Sequence, residues 1–538
     1  MSGTGPKPSN KRNGLSVAVS SGDIQSTGPK TPSKSRPDPG AVSLKELCFY
    51  LMCDSPILYL LVEALPPRPP GPGRPRVYPH WIYFLYAVAV QHTNSARRAA
   101  AEMRSLWPDL VEWSTLMWGP NSPLALKDAP LRQKAFISWR RSRATPEIRA
   151  ALSQAFSPWA VEVARQTGAL APATSWSTMH KANVLRGDAV VIHARSDYKP
   201  GAISTRTGRL ARADPDAKKQ ITGDGRTVVG NTAVIMSAIG VDAEPVVLAV
   251  EMIEPRHDRR TGKKNKKKKK KGKKMRRSVV SEGEHAANMT IRLYDLAPDC
   301  VRWMAWDGAL RGTHIAAIQT ARPVVAVAPV HMVRKKGKKA GQSKQIVKDR
   351  VLGYYRVFGG LAASPRQVHV KALHGAAHME VRTEDGSTAW VRLPPPKIES
   401  RQRVSLSKGR HVFYGVYTIP AWCGGGTIRV HAYTTEADKK NGLNREECLR
   451  LIAPTNSDAS ESDQLAADDR WTIAHGLRAN HEAVNNLLEL RLAYHKLAHS
   501  MGAEREFLDV LAFGMYRNAT AHITWMRRRE LAAEEKAG

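Results

Sequence analysis

Cysteine is scarce: Cys48, Cys53, Cys300, Cys423 and Cys448 are the only five in 538 residues. None forms a Cys-x-x-Cys pair and the number is odd. That argues against a disulfide framework and a structural zinc site, and fits reduced thiols. The chain lacks a Walker phosphate loop, and no Gly-x-Gly-x-x-Gly opens a helix after a strand, so nothing points to nucleotide hydrolysis. His481-Glu482 is followed by Ala, Val and Asn, so the His-Glu-x-x-His arrangement of a zinc protease fails. Long apolar runs are also missing. The best early one, residues 48–65, is broken by Asp54, Pro56 and Glu63 and is too short and too charged to span a bilayer. Residues 1–40 are polar throughout, unlike a signal peptide. The expectation is a soluble cytoplasmic protein with no membrane partner.

Acidic residues are outnumbered. Asp and Glu total 48 against 83 Lys and Arg, a formal charge of +35. Such an excess draws a chain to polyanions through counterion release, and DNA is the expected partner, which would make the protein nucleoid-associated.

Composition and periodicity divide the chain. Residues 1–42 lack apolar clusters and are expected to form a disordered basic arm. Residues 43–175 are helical and are expected to be the DNA-binding region. Ser43 with Glu46 makes a capping box, and a second short helix is expected over 57–65. Residues 66–79 are a stiff, proline-rich linker. Next come a helix apolar nearly all round, WIYFLYAVAVQ, a short turn, and a basic helix, SARRAAAEMRSL. This pair suits a helix-turn-helix that presents Arg97 and Arg98 to DNA.

Residues 176–349 read as the first part of an α/β core. Strands are expected at 184–195, 228–239 and 245–253, then a helix over 282–296, a strand ending at Asp307, a helix over 313–320 and a strand over 323–330. Three consecutive strands suggest a meander, and the later helical crossovers imply parallel neighbours. The tract 263–274, including Lys268 and Lys270, is almost pure lysine and is expected to be an unfolded phosphate-attracting loop. Residues 350–453 are a β-rich insertion, 454–520 complete the core with a helix from Trp471, and 521–538 are a charged tail.

Within this frame the stretch VRWMAWDGALRGTHI, 301–315, stands out. It reads as a buried strand stopping at Asp307, a small-residue turn and a helix. A carboxylate at the carboxyl end of a central strand is where an open α/β sheet normally places its chemistry. Asp188 lies on the first strand. If the first and fourth strands are parallel neighbours, Asp188 and Asp307 can share a cation. Glu482 lies on the helix after the insertion, on a polar stripe with Arg478, Asn485, Asn486 and Glu489. Arg478, one turn earlier, is placed to orient it. Asp188, Asp307 and Glu482 together are the ligand type hard divalent cations require, and the expectation is Mg²⁺ or Mn²⁺, two ions acting in an in-line displacement at phosphorus. Asp197 and Glu489 are the runners-up for the first and third positions.

The blocks GDAVVIHARSD, VRWMAWDGALRGTHI and HGLRANHEAVNNLL resemble the three acidic blocks of DDE transposases from bacterial insertion sequences. The resemblance covers roughly residues 180–500. It implies a ribonuclease H-like mixed sheet flanked by helices, with a β-rich insertion before the last core helix. It also implies metal-dependent cleavage of element ends, transfer of 3′-hydroxyls into target DNA, and a homodimer or higher oligomer on DNA. Arg311, just past Asp307, and the lysine loops would hold phosphates. Some members carry a Tyr-Arg-Glu-Lys signature around the last acid. Arg478 and Glu482 fit its middle, whereas His475 and Glu489 stand in place of the tyrosine and lysine. A catalytically inactive DNA-binding descendant and a metal-dependent nuclease on the same core are the competing readings.

Overall fold

The computed structural model describes residues 41–67, 78–254, 280–328, 350–432 and 469–537, with short interruptions. The basic arm, the lysine tract with Lys268 and Lys270, and the loop 454–468 lie outside the described residues. No helix among the described residues is long and apolar enough to cross a membrane.

The chain opens with α1 (Leu44–Phe49) and α2 (Ile57–Glu63), joined by a π-turn. The expected capping box is present: Ser43 Oγ accepts from the Glu46 amide at 3.3 Å, and the Glu46 carboxylate accepts from the Ser43 amide at 2.8 Å. Then come α3 (His80–Thr93) and α4 (Ala96–Ser105), with Asn94 in the left-handed region between them. α5 (Trp107–Trp118), which the periodicity did not announce, precedes α6 (Gln133–Arg143) and α7 (Pro146–Gln166). α3 is buried on every side from Trp81 to Gln91, as its uniform apolarity predicts.

The core sheet contains β1 (Val184–His193), β2 (Lys218–Ile221), β3 (Thr227–Ala238), β4 (Val246–Met252), β5 (Trp303–Ala305) and β6 (Val325–Val327). α8 (Glu282–Leu296) precedes β5 and α9 (Gly312–Ala321) follows it. The expected meander is there: β3 is antiparallel to both β1 and β4. β1 and β5 are parallel neighbours, Val184 beside Trp303 and Arg186 beside Ala305, and β6 continues in parallel. β3 carries β2 and β4 on its outer edge, so the order across the sheet is β4 (with β2), β3, β1, β5, β6. β2 is a short strand inside the stretch 196–227 that the sequence presents as loop.

The β-rich insertion folds as two antiparallel sheets. One holds β7 (Arg350–Arg356), β8 (Gln367–Leu373), β9 (Ala376–Arg382) and β10 (Thr388–Arg392). The other holds β11 (Lys397–Arg403), β12 (Arg410–Thr418) and β13 (Thr427–His431). They share a separate small core around Val370, Met379, Tyr417 and Val430. Phe413 of β12 joins Val184, Trp303 and Val325 in the cluster that seats the insertion on the core sheet.

Two long helices finish the chain, α10 (Asp469–Arg491) and α11 (Ala503–Ala537). α11 corrects the expectation of a charged tail over 521–538: the described part of that stretch, to Ala537, continues the helix. Its apolar side explains why, since Ala521 and Ile523 are buried in the main core and His522 lies against Tyr50. Arg527 pairs with Glu46 of α1. Further back, Asn518 accepts from the Val247 amide and donates to the Val247 carbonyl, both at 2.8 Å, satisfying outward-facing backbone of β4. One hydrophobic cluster runs from Leu44 through the sheet to Ile523, so the N-terminal helices and the core sheet share a single interior.

Candidate metal centre

β5 ends at Ala305, and the Trp306 amide donates to the Val327 carbonyl at 2.9 Å. Beyond this point β5 no longer pairs with β1, which runs on to His193 and there meets Leu497 in an isolated parallel bridge. Carrying the parallel ladder two residues past the Arg186–Ala305 pair brings Asp188 beside Asp307. Side-chain alternation assigns the faces. Val184, Trp303 and Ala305 share an apolar cluster with Leu477 of α10, whereas Leu185, Met304 and Trp306 belong to the main core on the α8 side. Asp188 and Asp307 therefore lie on the α10 face, at the place where the neighbouring strand stops.

The third acid comes from the other side. Glu282 is the first residue of α8, whose Ser281 cap accepts from the Glu284 amide at 3.3 Å. Trp306 Nε1 donates to the Glu282 carboxylate at 3.2 Å. Carboxylate oxygens of Asp188, Glu282 and Asp307 lie within 4.8 Å of one another, and all three residues are half-buried. Ala309 N donates to Asp307 Oδ1 at 2.8 Å, which fixes that carboxylate at the mouth of the turn.

Two glycines allow this approach, each adjacent in sequence to an acid. A Cβ on Gly187 would stand 2.6 Å from Cη2 of Trp306. A Cβ on Gly283 would stand 2.5 Å from the Ala309 carbonyl and would also collide with the His314 ring. Glycine at these positions lets α8 and the 306–309 turn close on β1.

Burial, then the negative charges of Asp307 and Asp188, push the Glu282 carboxyl up to about 7, against a weaker opposing effect of the Trp306 hydrogen bond. Three carboxylates at this spacing repel, and one holds its proton near neutrality unless a cation offsets the charge. Their oxygen-only donor set fits a hard divalent ion such as Mg²⁺ or Mn²⁺.

Asp188 and Asp307 thus meet, as the parallel pairing of their strands requires. Glu482 is not part of the group: it is exposed on α10, and the third gathered carboxylate is that of Glu282. The neighbouring His481 is buried instead, its Nδ1 2.7 Å from Ser237 Oγ on β3. Glu282 was not singled out in the sequence, although a signal existed. A helix leading straight into a strand returns antiparallel to it. An acid in the first turn of α8 must then arrive near the acid at the carboxyl end of β5.

Of the expected phosphate-binding residues, Arg97 and Arg98 are exposed at the start of α4. Rather than projecting on a free helix face, they line a cavity shared with α6 and the 499–505 segment. Arg311, Asp197 and the side chain of Arg478 lie outside the described residues, as do Lys268 and Lys270. Compared with known proteins, the chain matches no family model, no curated protein and no solved structure.

Proposed function

We propose that the protein is a metal-dependent phosphoryl-transfer enzyme acting on DNA, a DDE-type transposase on a ribonuclease H-like core. The observation that carries this reading is the meeting of Asp188, Glu282 and Asp307 within 4.8 Å at the carboxyl end of β5. The strand arrangement supports it: a three-strand antiparallel meander whose first strand is flanked in parallel by two further strands. So do the three sequence blocks and the net charge of +35.

In this reading Asp188 and Asp307 supply two carboxylate ligands from adjacent strands. Glu282 completes the set, oriented by the Trp306 indole, and gives up its proton as the site is loaded. A bound divalent ion, or a pair of them, would polarise the scissile phosphate and activate the attacking water or 3′-hydroxyl. The chain needs no covalent nucleophile for such an in-line displacement. Glu482 belongs to the reading as a competitor of Glu282 for the third position.

The test is cleavage of DNA carrying the termini that flank the coding region, with Mg²⁺ or Mn²⁺, by the full chain and its variants. Asp188→Asn and Asp307→Asn should abolish cutting by at least a hundredfold and leave DNA binding intact. Glu282→Gln should do the same and Glu482→Gln should not. Full activity of Asp307→Asn would refute the metal-centre reading. Transfer of the cut 3′-end into a second DNA separates a transposase from a nuclease, and a folded chain that binds DNA without cutting it is the inactive descendant.

A further inference from the structure

A cavity of about 980 Å³ opens between the N-terminal helices and the end of the chain. Its walls come from the start of α4, from α6, from the residues just past β1, from the end of α10 and from the 499–505 segment. Arg97, Arg98, Arg140, Arg141, Arg195 and Arg505 all line it. Glu489 is its single carboxylate among the described lining residues. Arg140 is neutralised by Asp509 at 2.8 Å. The other five guanidinium groups have no ion-pair partner among the described residues. Four of them, Arg97, Arg98, Arg141 and Arg195, are exposed.

Five guanidiniums without an ion-pair partner among the described residues, brought to one cavity by four separate chain segments, repel one another. Their convergence is stabilised by an anion that spreads its charge over several of them. Guanidinium forks match phosphate oxygens in pairs, and a string of phosphates meets such a group better than one small ion. Ser95, the cap of α4, also lines the cavity, so the first amides of that helix face the same space.

We infer that this arginine cleft grips the sugar–phosphate backbone of DNA flanking the carboxylate centre, independently of sequence. The choice of DNA as the polyanion rests on the function proposed above; the phosphate chemistry of the cleft does not. Arg195 stands seven residues beyond Asp188 along the line of β1. At roughly 3.3 Å per residue that is about 23 Å, or some six to seven base pairs of duplex at about 3.4 Å each. A duplex presented to the acids therefore reaches the cleft within one helical turn. This assigns Arg97 and Arg98 to phosphates: the end of α4 that carries them is walled in by α6 and the 499–505 segment, and cannot enter a major groove as a reading helix does.

The experiment measures binding of the full-length protein to two labelled duplexes of unrelated sequence, in EDTA, over a series of salt concentrations. Arg97→Ala/Arg195→Ala and Arg98→Ala/Arg141→Ala change only exposed side chains, so folding is preserved, and circular dichroism checks it. Each pair should weaken both duplexes equally, by about tenfold or more at 0.1 M salt, and lower the salt slope by about two. Unchanged affinity and slope would overturn the inference. So would a loss confined to one sequence, which would mark base reading. Asp188→Asn/Asp307→Asn, measured alongside, should bind as the parent does. Normal binding by the arginine variants would remove the cleft and leave the metal centre standing. Cutting by the carboxylate variants would remove the metal centre and leave the cleft.

Discussion

The indole of Trp306 fills the space that a side chain at position 187 would need. A Cβ there would collide with Cζ3 of the ring and lie 2.7 Å from the Ile235 carbonyl, so neither the ring nor the β3 backbone leaves room. Trp306 is fully buried and is also the residue whose Nε1 donates to Glu282. The packing of one glycine on β1 thus sets the position of the third carboxylate. Gly187→Ala should destabilise the fold by ~1–3 kcal/mol through overpacking. It should also weaken divalent-ion binding, because a displaced indole drags Glu282 with it. Chemical denaturation and a metal titration measure the two effects. A stable variant with unchanged metal affinity would show that the indole has no positioning role.

The raised Glu282 carboxyl has a consequence for stability. Its pKa of about 7 in the fold exceeds the ordinary 4.5, so the folded chain holds an additional proton between these values. Its contribution is complete below about pH 4.5 and is lost as pH rises through about 7, up to ~3 kcal/mol for a shift of that size. A divalent ion reverses the preference, since it binds the deprotonated group. Metal-free protein should therefore melt lower at pH 8 than at pH 6. The rise in melting temperature on adding millimolar Mg²⁺ or Mn²⁺ should be larger at pH 8. Glu282→Gln should flatten the metal-free profile. An equal metal-induced rise at both pH values would contradict the assignment.

The legible parts of this chain were those governed by local pattern. The capping box at Ser43, the uniformly apolar α3 and the bounds of α8 follow from nearest-neighbour chemistry, and each is where its residues dictate. The meeting of Asp188 with Asp307 needed only one further step, the parallel pairing that a helical crossover enforces. Glu482 and Glu282 mark the limit. Where a mid-helix residue of α10 lands depends on how the long insertion seats on the sheet, through contacts such as Phe413 with Trp303 and Val325. No sequence spacing encodes that. α11 was misjudged for a related reason: residues after 520 are charged, but Ile523 and Ala521 bury against the N-terminal helices, a partner several hundred residues away.

Such a long-range partnership also anchors the wall of the arginine cleft. Arg140 of α6 and Asp509 of α11 pair at 2.8 Å, both buried, and Ser500 Oγ donates to the other Asp509 oxygen at 2.7 Å. Removing one charge strands the other inside. Asp509→Ala should cost ~3–5 kcal/mol. Replacing both residues, Arg140→Met with Asp509→Leu, should recover much of that loss, because no charge then remains unpaired. Equilibrium unfolding of the single and double variants measures the difference. A double variant less stable than Asp509→Ala would show that the pair contributes net stability.

A second buried acidic pair tells the opposite pH story from an ordinary carboxylate. Glu506 of α11 is almost fully enclosed, and burial together with Asp214 raises its pKa well above 4.5. Asn231 Nδ2 donates to Glu506 at 3.0 Å, while Asp214 accepts from the Gly502 amide at 2.8 Å and the Asp216 amide at 2.9 Å. Backbone amides thus hold Asp214 in place, and Glu506 is the member whose protonated form the fold favours. A group raised in the fold stabilises below its unfolded pKa and loses that contribution as pH rises. Glu506→Gln replaces the carboxyl proton by an amide hydrogen that can face Asp214, and keeps an oxygen for Asn231. The variant should therefore match the parent near pH 5 and exceed it increasingly toward pH 9. Melting temperatures across that range test the assignment, best in a Glu282→Gln background, where the metal centre no longer contributes to the slope. If Glu506→Gln fell below the parent throughout, the assignment of the proton to Glu506 would be wrong.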